Sequence, residues 1–212
     1  MKPLCIGISG LNAADNPGPG VGVARALKED KGLPVTVIGL AYDAMEPGIY
    51  LDWLVDKTFL MPYPSAGGEA FMQRLAHIEE SAGLELVIPN LDTELPLYIR
   101  HAPQLAAMGI KVFLPDEPRY QLRGKDRLVK LAKDLGLSVP KTVIAPSLES
   151  FTRGLESMPF PLMVKGAFYK ALRAETPTQA YANFHAIAAE WGYPVLLQEL
   201  VAGDELNVVG GG

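Results

Sequence analysis

The stretch from Val195 to Val209 has residue types and an order that could bind a ligand. Its first seven residues include five apolar ones around Gln198-Glu199, which is typical of a buried strand that ends at a polar site. Gly203 then interrupts the run, and Leu206 and Val208 predict a second strand. Main-chain groups at such a hinge can pair with the edge of adenine, and nearby carboxylates can accept from ribose hydroxyls. The alternative is an ordinary hairpin with solvated acids.

Two lysines could bring positive charge to a phosphate-bearing ligand. Lys125 begins a predicted helix, and Lys165 ends an apolar strand. A lysine at a strand end beside a cleft can meet phosphate as a point charge. Because surface lysines are common, neither one predicts a site alone.

A glycine-rich loop offers a different phosphate site. Gly18, Gly20 and Gly22 follow a strand and open a helix, as in dinucleotide-binding domains, and Asp43 at the end of the next strand would bind the ribose. The fit is incomplete, because Arg25 stands where the pattern has glycine and the loop is long. The alternative is a flexible turn.

Polar residues also follow the fourth predicted strand. A parallel sheet would present Asn90, Asp92 and Glu94 at its C-terminal edge, where they could face a substrate. The other interpretation is capping of the next helix, with an Asx cap in this turn, and we favour it.

The elements that must position these residues fall into two groups. In the first, short apolar runs alternate with amphipathic helices, which predicts a parallel α/β sheet over residues 1–115. Its predicted strands cover residues 4–9, 35–40, 58–61, 84–89 and 111–114, with helices over 21–31, 65–82 and 95–107. The last of these helices is expected to break at Pro103, and Gly83 to end the one before it.

The second group predicts a smaller α+β lobe over residues 116–212. Its helices are predicted over 125–136, after Ser147, and from a Thr176 cap to Trp191, and its strands over 141–145, 161–165 and the stretch from Val195. The first of these helices is expected to bury Leu128, Leu131, Ala132 and Leu135, and the last to bury Trp191.

Composition excludes several classes of function. The 212 residues carry a net charge of −5 and no basic run, which argues against nucleic acid as a partner. The histidines lie far apart, without metal-ligand spacing. Cys5 is the only cysteine, which predicts no internal disulfide and fits a reduced cytoplasmic location. No apolar run approaches the ~18 residues of a membrane span.

The order of these residues resembles the ATP-grasp superfamily, closest to carbamoyl phosphate synthase large-subunit-like and biotin-carboxylase-like members. Residues 1–115 resemble the Rossmann-like domain that precedes the ATP-grasp fold, including Val87–Leu95, and residues 116–212 resemble the first part of that fold. The resemblance implies that Lys125 and Lys165 face phosphates and that Glu205 binds the ribose. It implies that main chain at the adenine hinge comes from Gln198, Glu199, Leu200 and Val201.

The resemblance also implies an activity. Such ligases use ATP and Mg²⁺ to convert a carboxylate to an acyl phosphate, which an amine or another nucleophile then attacks, so the partners are small-molecule substrates. The family's metal-binding acids are expected beyond residue 212, in a longer protein of which this chain is the N-terminal part. Without them we expect no ligase activity. An unpaired strand edge at Val209 would allow chains to pair, so a homo-oligomer is among the expected partners.

This sequence departs from the family at two places. Gly124 precedes Lys125 where aspartate is common, and the loop from Gly166 to Ala171 has less glycine than the family's phosphate-covering loop. Lys170 could replace some of the lost phosphate contacts. The departures leave open a non-catalytic nucleotide-binding or regulatory module, and the glycine loop leaves open a dinucleotide-dependent oxidoreductase.

Overall fold

Two compact units make up the chain. The computed structural model describes residues 2–13, 16–125, 127–167, 170–204 and 206. The first unit covers Met1–Glu117 and the second covers Pro118–Gly212. Each unit contains its own sheet and its own hydrophobic core.

The first unit is built on a parallel sheet of five strands in the order β3-β2-β1-β4-β5. All four strand pairs are parallel, which confirms the predicted sheet. The central strand β1 has β2 on one side and β4 on the other. The strands are β1 (Leu4–Ile8), β2 (Val35–Ala41), β3 (Lys57–Leu60), β4 (Leu86–Ile88) and β5 (Lys111–Val112).

Helices connect these strands and bury apolar side chains against the sheet. They are α1 (Pro19–Glu29), α2 (Gly68–Ala82), α3 (Leu95–Arg100) and α4 (Ala102–Ala107). Phe71 and Leu75 of α2 and Tyr98 of α3 are buried with β2 residues in one cluster, and Ala24 of α1 lies in another with Ile6 and Ile8. Gly83 ends α2 in the left-handed conformation, as predicted. The break between α3 and α4 falls at His101 instead of Pro103.

The second unit contains an antiparallel sheet of four strands in the order β6-β9-β7-β8. Its helices α7 and α8 contribute Phe151, Phe184 and Ile187 to one core with this sheet. Elements in chain order are α5 (Glu117–Leu122), α6 (Leu128–Asp134), β6 (Thr142–Ala145), α7 (Leu148–Glu156), β7 (Leu162–Gly166), β8 (Ala171–Ala174), α8 (Pro177–Trp191) and β9 (Val195–Glu199).

Some predictions for the second unit were wrong. Helix α6 begins at Leu128, so Lys125 lies in the turn before it and does not start the helix. Of the four residues predicted to face inward on α6, only Ala132 is buried. Trp191, also predicted to be buried, is 42% exposed. Strand β8 was not predicted. The strand predicted around Leu206 and Val208 falls largely outside the described residues.

Within the described part of the chain, no helix combines the length and the apolar character needed to cross a membrane.

Candidate functional site

One face of the antiparallel sheet carries the second predicted lysine. Leu162 and Val164 of β7 are buried against the helices, so by strand alternation Met163 and Lys165 lie on the opposite face. Antiparallel pairing places Gln198 of β9 directly beside Met163, on this same face. We call this surface, which also includes Thr142 of β6, the open face.

A chain of hydrogen bonds crosses three strands of the open face. The Lys165 ammonium Nζ donates to Gln198 Oε1 at 2.7 Å, and Gln198 Nε2 donates to Thr142 Oγ1 at 2.9 Å. The Thr142 hydroxyl in turn donates to the carbonyl oxygen of Pro140 at 3.0 Å. Each group therefore has a defined donor or acceptor role, and the side-chain amide of Gln198 has one preferred orientation.

The other predicted phosphate lysine reaches the same strand end. Lys125 Nζ lies 3.5 Å from the main-chain oxygen of Gly166, the residue that follows Lys165. The two lysines are thus associated with consecutive residues of β7. The open face also includes Arg173 of β8, which forms an ion pair with Glu175 at 2.7 Å.

The predicted adenine hinge begins where β9 ends. Glu199 is the last residue of β9, and its main-chain N–H donates to the Lys141 oxygen at 2.9 Å. Leu200 and Val201 follow outside the strand, and Val201 is 63% exposed. The N–H of Glu199 is therefore already bonded within the chain, and main-chain groups for a ligand would come from Leu200 and Val201 instead. Glu205 lies outside the described residues.

Lys170, which was expected to replace some of the lost phosphate contacts, has a different partner. Its ammonium forms an ion pair with Glu190 of α8. Its φ of 64° lies in the left-handed region, which is uncommon for a residue other than glycine. The structure therefore brings Lys165 and Lys125 to one strand end and places the Lys170 ammonium at α8.

The C-terminal edge of the parallel sheet contains a second polar cluster. The Glu94 side chain is fully buried and accepts hydrogen bonds from the Ser9 and Tyr42 hydroxyls. It also accepts from the main-chain N–H groups of Asn90 and Leu91, at 3.0 and 3.1 Å.

These contacts change the interpretation of the turn after β4. The Glu94 side chain makes no capping hydrogen bond to helix α3. The Asn90 amide donates to the oxygens of Ser9 and Ile88, so it bridges the ends of β1 and β4. Helix capping was therefore the wrong interpretation for both residues. A ligand crevice is expected where the strand order reverses, between β1 and β4, but Asn90 and Glu94 form internal bonds across that point. Asp92 is exposed.

Burial controls the acid–base properties of this cluster. Loss of hydration raises the pKa of the Glu94 carboxyl, because the charged form is poorly solvated inside the protein, while its hydrogen-bond donors act in the opposite direction. Burial and then the Glu94 charge raise the pKa of Tyr42 and of Tyr98. The Tyr98 hydroxyl is buried, and none of the described residues forms a hydrogen bond with it.

The glycine loop serves packing in this fold. Gly20 donates its N–H to the Gly10 oxygen at 3.0 Å, and Gly18 donates to the Asn12 oxygen at 2.6 Å. A Cβ atom at Gly20 would lie 2.0 Å from the Ser9 oxygen. Asp43 is exposed and accepts from the N–H of Met45 in a turn. These amides and this acid are engaged within the chain, so the structure does not favour a dinucleotide site.

Solved structures share this fold over almost the whole chain. An N5-carboxyaminoimidazole synthetase from Staphylococcus aureus complexed with ADP has a TM-score of 0.65 and 11% identity, over 93% of this chain and 48% of that one. An L-amino acid ligase from Bacillus licheniformis has a TM-score of 0.61 and 17% identity, over 96% and 45%. These are ATP-grasp enzymes. The chain has a partial ATP-grasp fold.

A third ATP-grasp structure carries bound ligands. It is the biotin carboxylase domain of the Hydrogenobacter thermophilus 2-oxoglutarate carboxylase, a dimer in complex with MgADP, ADP and bicarbonate, with a TM-score of 0.61 and 16% identity. The similarity covers 94% of this chain and 44% of that one. The chain thus spans less than half the length of these ATP-grasp neighbours. No protein-family model matches the sequence, and no curated protein is significantly similar to it.

A magnesium ion would need ligands other than the two lysines. Among the residues that the structure describes, no three histidine, cysteine or acidic side chains are grouped so that they could hold a metal ion. The described residues therefore do not offer a set of metal ligands of their own.

Two sets of polar contacts were not predicted from the sequence. The sequence predicts Thr142 only as part of a strand, and its hydroxyl lies on the side of β6 opposite the buried Ala145. The bonds from Ser9 and Tyr42 to Glu94 span 85 and 52 residues of sequence, and no local pattern signals them.

Proposed function

We propose that this chain supplies the nucleotide-binding part of an ATP-dependent ligase that activates a carboxylate. The observation that carries the proposal is the association of Lys125 and Lys165 with one end of β7, on a fold shared with ADP-bound ATP-grasp structures. Two ammonium groups near one strand end provide the positive charge that a polyphosphate requires.

The nucleotide would lie across the open face. Strands β7 and β9 are hydrogen-bonded neighbours, so a ligand that contacts both must lie on a face of the pair and cannot separate them. Lys125 and Lys165 would meet its phosphates, main chain at Leu200 and Val201 its adenine, and Glu205 its ribose.

The chemistry would be formation of an acyl phosphate. A carboxylate oxygen attacks the terminal phosphorus of ATP, the bond to ADP breaks, and an amine or another nucleophile then displaces phosphate from the acyl carbon. The lysines of this chain would hold and orient the phosphates. Mg²⁺ would supply further charge neutralisation from ligands other than the described residues, and a cytoplasmic location belongs to the same proposal.

Replacing Lys165 tests the nucleotide site. In Lys165→Ala we expect ATP affinity, measured by calorimetric titration, to fall by about tenfold to a hundredfold, because a charge-assisted contact contributes roughly 1.5–3 kcal/mol. Lys130→Ala, which removes an exposed lysine of α6, is the matched control. Equal affinity of Lys165→Ala and the parent would contradict the assignment.

A further inference from the structure

Thr142 on the open face is linked to Lys165 through a side chain of the strand between them. Thr142 lies on β6, and Lys165 lies on β7, with β9 between them. The amide of Gln198 connects the two side chains, by bonds of 2.7 and 2.9 Å. Because an amide has one acceptor and one donor end, the partner of one end determines what the other end offers.

We propose that Thr142 is a positioning residue for the nucleotide. The Thr142 hydroxyl donates to Pro140 O, so its oxygen is left as the acceptor for Gln198 Nε2. That contact turns Gln198 Oε1 toward Lys165 and holds the ammonium at a defined place on the open face. The inference rests on the proposed function, since it deepens the role of Lys165 at the phosphates.

The consequence is a specific dependence on phosphate. Without the Thr142 hydroxyl, the Gln198 amide loses the acceptor that fixes its orientation, and Lys165 loses a fixed hydrogen-bond partner. The Lys165 side chain then loses conformational freedom when the nucleotide binds, and this entropy cost weakens binding. Adenosine has no phosphate for Lys165 to meet, so its affinity does not depend on how well the Lys165 side chain is held in place.

The test compares ligands that differ in phosphate content. In Thr142→Val, which keeps the shape but removes the hydroxyl, we expect the affinities for ATP and ADP to fall about fivefold, the effect of one neutral hydrogen bond, and the affinity for adenosine to stay unchanged. Thr142→Ser keeps the hydroxyl and should restore ATP affinity. Thr178→Val, at an exposed position of α8, is the matched control.

A second variant tests the same role of the Gln198 amide if Thr142→Val does not fold. Gln198→Met removes the amide at similar size and should show the same phosphate-dependent loss. Equal loss for adenosine and ATP, or a Thr142→Val affinity equal to that of the parent while Lys165→Ala is impaired, would overturn the positioning role and leave the nucleotide site standing. Unchanged ATP affinity in Lys165→Ala would instead contradict the proposed function itself.

Discussion

Glu94 is a buried carboxyl group surrounded by hydrogen-bond donors. Two hydroxyls and two main-chain amides donate to its oxygens, and they come from the ends of β1, β2 and β4 and the turn that follows β4. Removing the carboxyl would leave several of these donors buried without an acceptor. In Glu94→Ala we therefore expect the free energy of unfolding to fall by more than about 2 kcal/mol, measured by urea denaturation.

The pH dependence of stability should report the same residue. Burial raises the pKa of Glu94 in the folded protein above the ordinary value of 4.5. As pH rises above that value, the unfolded chain releases this proton first, so the folded state binds more protons and its free energy of unfolding falls until the raised pKa is passed. Glu94→Gln cannot titrate and should lack this part of the decrease.

Urea denaturation of Glu94→Gln and the parent at pH values from about 4 to about 8 measures the difference. We expect the stability of the variant relative to the parent to increase with pH over this range. Glu80→Gln removes an exposed carboxyl of α2 and serves as the control. A difference that does not change with pH would contradict the raised pKa.

At the scale of the element, helix α1 contains two glycines in different surroundings. A Cβ atom at Gly20 would collide with the Ser9 and Gly10 oxygens, whereas one at Gly22 would meet no atom of the described residues within 4 Å. We expect Gly20→Ala to reduce the free energy of unfolding by more than about 2 kcal/mol. Gly22→Ala should increase it by roughly 0.5–1 kcal/mol, because alanine favours the helix. Thermal or urea unfolding of both variants checks the contrast, and equal effects would contradict the close packing of α1 on β1.

Helix α8 allows a similar comparison at its N-terminus. The Thr176 hydroxyl accepts from the main-chain N–H of Gln179, while Thr178 is exposed inside the helix. Thr176→Ala should cost about 1 kcal/mol of stability through loss of the cap. Thr178→Ala should be neutral or slightly stabilising because alanine has the higher helix propensity. If Thr178→Ala proved the more damaging of the two, the cap would not stabilise α8.

Elements with strong local signals could be predicted from the sequence. The apolar runs predicted all five parallel strands, and the predicted helix ends at Gly83, Gly136 and Trp191 lie at or next to a glycine with positive φ. The cap at Thr176 was predicted correctly, and the helix predicted after Ser147 begins at Leu148 with Ser147 as its cap. In each case the signal lies within a few residues of the feature that it determines.

Features that depend on tertiary contacts could not be predicted in this way. Strand β8 reads Ala-Leu-Arg-Ala, and it becomes a strand by pairing with β7 at the edge of the sheet. Its short sequence carries little preference for a strand by itself. Likewise, Lys165 and Gln198 could each be assigned to a strand end, but their contact spans 33 residues, and its extension to Thr142 spans 56.

At the scale of the whole molecule, we expect the 212-residue chain to release no phosphate by itself. It covers 44–48% of the ATP-grasp structures compared above, and its described residues contain no grouping suited to a metal ion. Phosphoryl transfer needs bound metal to neutralise developing charge. Incubation with ATP, Mg²⁺ and a panel of carboxylates and amines, followed by a phosphate assay, should give the same signal as heat-denatured protein. Substrate-dependent phosphate release would show that the chemistry is complete within these residues.

The amide partner of Lys165 has a consequence for how fast an anion arrives. The chain as a whole is negatively charged, with a formal net charge of −5, so a polyphosphate approaches against a repulsive field. Gln198 holds the ammonium without cancelling its charge, whereas a carboxylate at the same place would neutralise it. Gln198→Glu should therefore slow diffusional encounter with ATP in stopped-flow measurements. That deficit should shrink as ionic strength increases, because dissolved salt screens both the attraction and the repulsion.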